Sequence, residues 1–266
     1  QTIPELTVEL ISTYNDQTAS FATSYGSFMR NFIVHTPPNF DYQTESLPLL
    51  FVLHGYTGRA PSIREYSGFD QIADEERFIV VYVQGTTDQF GNTGWNVNVV
   101  ASFLGVDDVG FFKALIKYFK ASYNIDSNKI FSSGMSLGGF MSYRLACELE
   151  EINSIGSVTG SMAGYYQCNP PKKSSIIHLH GMNDAIVPYN GVEWSFSAKA
   201  AHDFWKNHNQ CNSQNEITIP DFNGDGEYTT RLISYDCEDN KSVELYSLEG
   251  EGHTWWKKSW GHDINT

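Results

Sequence analysis

Cations are scarce in this 266-residue chain: 17 Lys and Arg stand against 31 Asp and Glu, for a formal net charge of −14. No basic stripe runs along any segment, which argues against nucleic acid and anionic membrane surfaces as partners. No apolar run approaches the ~20 residues of a membrane-spanning helix. Internal repeats and low-complexity linkers are also missing, so residues 1–266 read as a single domain. The four cysteines, Cys147, Cys168, Cys211 and Cys237, include no C-x-x-C pair, which disfavours zinc, and no metal is expected. They stand as two disulfides or as four buried thiols. The numbering opens at Gln1 with no initiator Met and no apolar leader, the look of a mature exported chain. Secretion is therefore the expectation, and it favours disulfides.

Short apolar runs carry the fold signal. Phe28–His35 reads as a strand stopped by Pro37-Pro38. Leu47–Leu53 (LPLLFVL) and Phe78–Val83 (FIVVYV) are continuous enough to be strands buried on both faces. Val109–Tyr123 places Phe112, Leu115, Ile116 and Phe119 at helical spacing, and Gly139–Leu149 reads as a second helix. Ile130–Ser133, Ile155–Thr159, Ile176–Leu179 and Val243–Leu248 complete the strand series. Buried strands alternating with helices predict an α/β fold with a mostly parallel sheet. The first ~25 residues read as polar and irregular. Asn207–Asp239 reads as a surface excursion bracketed by Cys211 and Cys237; a bridge closing it would contribute ~3–4 kcal/mol on a chain-entropy model.

The chemistry concentrates at Ile130–Gly139 (IFSSGMSLGG). A strand runs into Gly134-Met135-Ser136-Leu137-Gly138, the pattern G-x-S-x-G, and a helix follows. A serine lifted clear of a sheet on so sharp a turn leaves no room for side chains two residues to either side, hence the glycines. The same turn aims the Leu137 N–H, at a helix N-terminus, towards a reacting carbonyl oxygen. Ser136 is thus the candidate nucleophile.

A serine hydroxyl needs a base and a carboxylate to orient it, in the chain order Ser, acid, His. Ile176–Leu179 leads into His180-Gly181-Met182-Asn183-Asp184, which puts Asp184 just past a strand's C-terminal end, where open α/β sheets carry their sites. Val243–Leu248 leads into Glu249-Gly250-Glu251-Gly252-His253, a glycine-flanked loop that delivers His253 as base. Glu251 is a rival acid, too near His253 in sequence to orient it easily. His180 reads as an anchor of the acid loop. His202, His208 and His262 read as solvated or packed residues. The loop after the first buried strand, His54-Gly55-Tyr56-Thr57-Gly58, supplies the second oxyanion donor, assigned to the Tyr56 N–H with Thr57 as fallback; His54 reads as structural.

Taken in order, LLFVLHGYTG, FIVVYVQG, GWNV, VDDVGF, IFSSGMSLGGFMSYRLAC, HLHGMNDAIVPYNG and LEGEGHTW resemble the polyhydroxybutyrate-depolymerase-like esterases. That family includes the feruloyl and acetyl-xylan esterases of carbohydrate esterase family one, and the likeness covers about residues 28–258. The resemblance implies an α/β-hydrolase fold, no cofactor and ester hydrolysis on a polymer or its fragments. It implies Ser136, Asp184 and His253 as nucleophile, acid and base, with the Tyr56 and Leu137 amides holding the oxyanion. It also implies a Cys211–Cys237 bridge, which leaves Cys147–Cys168. Departures from the family pattern fall at Tyr56, at Trp256 after His253-Thr254-Trp255, and at Val97 near Trp95.

Trp95, Trp255 and Trp256 are expected around the mouth of the site, where flat rings suit a sugar face, a feruloyl ring or a polyester chain; Thr57 joins Trp95 and Trp255 as a substrate-contact candidate. No lid-like apolar insertion is visible, so an open cleft is expected. The negative charge favours uncharged esters. Asp221–Gly226 resembles half a calcium loop but has Leu232 at the twelfth position, so a turn is the preferred reading. Asn240-Lys241-Ser242 is a glycosylation sequon. The leading expectation is a secreted, monomeric serine carboxylesterase acting on feruloyl or acetyl esters of plant polysaccharide. A polyhydroxyalkanoate depolymerase ranks second. A peptidase of the same fold needs an extra capping domain for which this length leaves little room. A non-catalytic polymer-binding module on the same scaffold predicts a defective triad, yet all three roles are filled.

Overall fold

A computed structural model of the chain describes residues 6–257 together with His262 and Ile264; Gln1, read above as a sign of export, lies outside them. In chain order the strands are β1 (Thr7–Thr13), β2 (Thr18–Tyr25), β3 (Phe28–His35), β4 (Leu47–Leu53), β5 (Ile79–Val83), β6 (Thr86–Thr87), β7 (Thr93–Gly94), β8 (Ile125–Met135), β9 (Ser154–Val158), β10 (Ser175–Gly181), β11 (Ser213–Ile219), β12 (Thr229–Tyr235) and β13 (Val243–Leu248). The helices are α1 (Ala60–Ser67), α2 (Phe69–Glu76), α3 (Asp108–Ser122), α4 (Leu137–Glu148) and α5 (Ala198–His208).

One sheet of 11 strands runs β1-β2-β3-β5-β4-β8-β9-β10-β13-β12-β11. Its six central strands, from β5 to β13, are parallel. Both flanks are antiparallel. β4 shows why the centre folds this way: Leu49, Phe51 and Leu53 face one core and Leu50 and Val52 the other, so the run is apolar throughout. The first core is closed by α3, α4 and α5, with Phe112 and Phe119 set edge-on to Phe51 at centroid distances of 5.4 and 6.1 Å. The second packs under α1 and α2 through Ala60, Ile63 and Ala73. α3 begins at an Asp107 cap that accepts the Gly110 N–H at 2.9 Å, and its next residue, Asp108, is buried against Arg30 at 2.6 Å.

Two expectations are corrected. The N-terminal segment is not irregular: β1 and β2 pair as a hairpin that extends the sheet. Its period is masked because β2 buries Thr18, Ser20 and Thr23, small polar residues that carry no apolar signal. Asn207–Asp239 is not a loop excursion either. α5 runs on to His208, and β11 and β12 pair across the loop 220–228 as an edge hairpin. β11 (SQNEITI) lies almost wholly exposed, so burial never selected an alternating pattern there. The cysteines are oxidised in two pairs, Cys147–Cys168 and Cys211–Cys237, and none is free.

Candidate active site

Parallel pairing brings the C-terminal ends of β4, β8, β10 and β13 to the same edge of the sheet, and the four loops that follow them meet there. Ser136 stands between β8 and α4 at φ 53°, ψ −121°, a positive-φ conformation that costs a non-glycine residue on the order of 1–3 kcal/mol. The turn is held by the Ser136 N–H to Val158 O bond at 2.8 Å and the Phe140 N–H to Ser136 O bond at 3.1 Å. A Cβ on Gly134 would meet the Gly138 carbonyl carbon at 2.4 Å, and one on Gly138 would meet Leu53 O at 2.2 Å. Both glycines are therefore required by close backbone approach.

Asp184, in the loop after β10, has its side chain fully buried and accepts the His253 Nδ1–H on Oδ2 at 2.7 Å. Its Oδ1 accepts the Ile186 and Val187 amides at 2.8 and 2.9 Å, and His180 Nε2 lies 3.4 Å from Oδ2. Burial alone pushes this carboxyl up, but bonds from His180, His253 and Val187 outweigh it and hold the group well below the usual carboxylate range. Asp184 is thus a carboxylate facing His253. Glu251, the rival acid, is paired with His262 instead. His253 and Ser136 line one cavity of about 310 Å³ with His54, Gly55, Tyr56, Thr57, Gly58, Ser62, Ile63, Tyr66 and Met135.

The loop 54–58 that follows β4 is braced from below. His54 donates Nδ1–H to Gly55 O at 2.7 Å and accepts the Gly85 N–H on Nε2 at 2.9 Å, which fixes one neutral tautomer. Burial lowers its pKa to about 4. The Thr57 N–H is committed to Thr93 O at 2.8 Å, so Thr57 is withdrawn as a fallback donor, although it still lines the cleft. The Tyr56 N–H makes no hydrogen bond among the described residues. The Leu137 N–H lies in the first turn of α4, where no intrahelical acceptor exists.

The tryptophans do not frame the mouth. Trp95, Trp255 and Trp256 are each 1% exposed or less, which corrects Trp95 and Trp255 as substrate contacts. Trp95 donates its indole N–H to His54 O at 2.8 Å and packs between His54 and Phe112, so it supports the loop 54–58 from inside. Trp255 packs edge-on to Phe69 in the second core. The aromatic rings beside the cleft are instead Tyr56, 43% exposed, and Tyr66. Tyr66 also bonds Thr254 Oγ1 at 2.9 Å and accepts the Trp255 N–H at 3.3 Å, so α1 pins the loop that bears His253. That tie spans 188 residues; the one local signal for α1 is Pro61 in its first turn. A separate apolar recess of about 370 Å³ on the sheet face, between Phe131, Ile177 and Trp255, includes none of Ser136, Asp184 and His253. At Asp221–Gly226 the Asp221 carboxylate turns inward to the Gly224 and Gly226 amides, as a turn requires.

No family model matches the chain. Over 85% of its length it is 25% identical to a bifunctional acetylxylan esterase/xylanase of Neocallimastix patriciarum, spanning 31% of that protein. Over 84% of its length it is 25% identical to feruloyl esterase B of Piromyces equi, spanning 42% of it. The chain thus covers less than half of either relative. An acetyl xylan esterase from Aspergillus awamori superposes with a TM-score of 0.60 at 15% identity, over 93% of this chain and 94% of that one, a likeness of fold. The fold is the α/β-hydrolase fold. The relatives the chain matches are named as an acetylxylan esterase/xylanase and a feruloyl esterase.

Proposed function

We propose that the chain is a secreted serine carboxylesterase that cleaves feruloyl or acetyl esters of plant polysaccharide. One observation carries the reading: Ser136, on its strained turn, shares a cavity with His253, and His253 is hydrogen-bonded from behind to the buried Asp184 carboxylate. In this reading Ser136 Oγ attacks the ester carbonyl while His253 Nε2 takes its proton. Asp184 holds the Nδ1–H tautomer and stabilises the imidazolium. Negative charge on the carbonyl oxygen is met by the Tyr56 and Leu137 amides. His253 then gives its proton to the departing alcohol, and water, deprotonated by the same imidazole, releases the acid from the acyl-enzyme.

The cleft walls suit an uncharged acyl group: Tyr56, Ile63, Tyr66 and Met135 line it, and among the described residues no Lys or Arg does. The two disulfides support an oxidising compartment. The printed names of the relatives support acetylxylan and feruloyl esters as the first substrates to try. A fluorophosphonate should label wild-type protein at Ser136, and Ser136→Ala should lose labelling together with ~10⁶-fold in kcat. Esterase activity that survives Ser136→Ala sinks the mechanism. Comparing release of ferulate, acetate and hydroxybutyrate from matched polymers sorts the substrate; hydroxybutyrate alone overturns the polysaccharide assignment.

A further inference from the structure

A row of buried side chains leads from Asp184 into the core. Tyr143 on α4 and His178 and His180 on β10 are each 1% exposed or less. The Tyr143 hydroxyl lies 3.0 Å from His178 Nδ1, and His178 Nε2 lies 2.9 Å from His180 Nδ1. His180 Nε2 lies 2.8 Å from Val187 O and 3.4 Å from Asp184 Oδ2. His178 and His180 are two residues apart on a strand, so they share a face and their rings touch end to end.

The ends of the row determine where its hydrogens sit. Val187 O only accepts, so His180 Nε2 carries a hydrogen. In a neutral His180 the other nitrogen, Nδ1, then accepts, and His178 Nε2 must donate to it. His178 Nδ1 in turn accepts from the Tyr143 hydroxyl. The opposite ordering requires a second proton on His180. Its Nδ1 would then donate to His178 Nε2, and His178 Nδ1 would donate to the Tyr143 oxygen. Among the described residues His178 is the one hydrogen-bond partner of the Tyr143 hydroxyl, so that reversal strands the phenolic hydrogen in the core.

We propose that Tyr143 is a positioning residue for the reaction: through His178 and His180 its hydroxyl sets the direction of this row and keeps His180 a neutral donor beside Asp184. The inference rests on the Ser136–His253–Asp184 reading. A neutral His180 offers Asp184 an N–H dipole and leaves the carboxylate's full charge to the His253 imidazolium. A cationic His180 would compete for that charge. Burial, with His180 and His202 nearby, drives His178 far below the ordinary histidine range, so the middle of the row resists protonation. The titratable groups facing the row are Tyr143 from α4, His202 from α5, Tyr189 and Asp184 from the loop after β10, and His253 from the loop after β13. Lys199 and Asp203 lie beyond His202.

Long-range proton–nitrogen NMR of the histidine rings tests this from about pH 5 to 8, the interval in which histidines titrate. In wild-type protein at neutral pH, His178 and His180 should both read as Nε2–H rings with accepting Nδ1 atoms. In Tyr143→Phe, the His178 and His180 rings should lose that common direction, and the pH profile of kcat should change shape on its acid side. A doubly protonated His180 in wild-type protein at neutral pH overturns the proposal. So does a His178–His180 tautomer pattern that Tyr143→Phe leaves unchanged. The wild-type spectrum decides the direction of the row even where the variant does not fold. Activity that survives Ser136→Ala refutes the catalytic reading instead, whatever the rings report.

Discussion

Around Ser136 the site is shaped by backbone against backbone, whereas around Asp184 and His253 it is held by hydrogen bonds between titratable side chains. On the nucleophile side, Gly134 meets Gly138, Gly138 meets the Leu53 carbonyl, and Gly55 sits against Ser136 Cβ. Nothing in those contacts carries a proton. On the acid–base side, Asp184 gathers His253, His180 and two amides, and the row behind it runs on to Tyr143. Steric fit fixes where the nucleophile stands, and electrostatics fixes which proton form faces it. Damage to the first half should therefore be insensitive to pH, and damage to the second should depend on it.

Beyond removal of Ser136 itself, the largest expected effect is on the electrostatic half. Asp184→Asn should leave the fold intact and lower kcat by ~10⁴-fold, because an amide no longer selects the Nδ1–H tautomer of His253. A loss of less than tenfold, measured with a soluble ester, would show that another group orients the base.

Next comes His54, which belongs to the steric half and yet titrates. Its pKa is lowered to about 4 by burial, while the unfolded chain binds that proton near ~6.5. The contribution of the neutral ring is complete above the unfolded value and is lost as pH falls through the folded one. It amounts to on the order of 3 kcal/mol, lost between those limits. Denaturant unfolding of wild type and His54→Asn across this range should give a shallower pH slope for the variant; equal slopes would remove His54 from the account.

Gly138→Ala ranks third. Its methyl would stand 2.2 Å from Leu53 O and 2.7 Å from His54 O, so the elbow must shift. The cost should be about 1–3 kcal/mol of stability, read as a fall in Tm, with an activity loss of the same size at every pH. The smallest effect is expected from Trp95→Phe. It keeps the ring packing but removes the N–H that satisfies His54 O, for about 1 kcal/mol. Tm should drop slightly while KM for a small ester stays constant; a large rise in KM would return Trp95 to the substrate surface.

How far the chain could be read depended on what each segment buries. The run Leu47–Leu53 was legible to the residue, because a strand covered on both faces must be apolar throughout. β2 and β11 were illegible for opposite reasons: one buries hydroxyls and the other buries almost nothing. The tryptophans show a further limit. An indole beside a glycine or a candidate base looks like a binding surface, yet Trp95 and Trp255 have more to gain by filling the two cores. Tyr66, Tyr143 and His178 lie outside the motif logic altogether, since each acts on a residue that only folding brings near.

The sequence by itself determined the parallel α/β core, the turn that carries Ser136 and the order in which Asp184 and His253 follow it. Those features are local: apolar runs, glycine spacing and short loops after strands. The tertiary structure alone decided that Glu251 pairs with His262, that Thr57 spends its amide on Thr93, and that the tryptophans lie inside. Each of those choices is made by a hydrogen bond or a packing contact between distant segments, and such contacts leave no periodicity along the chain.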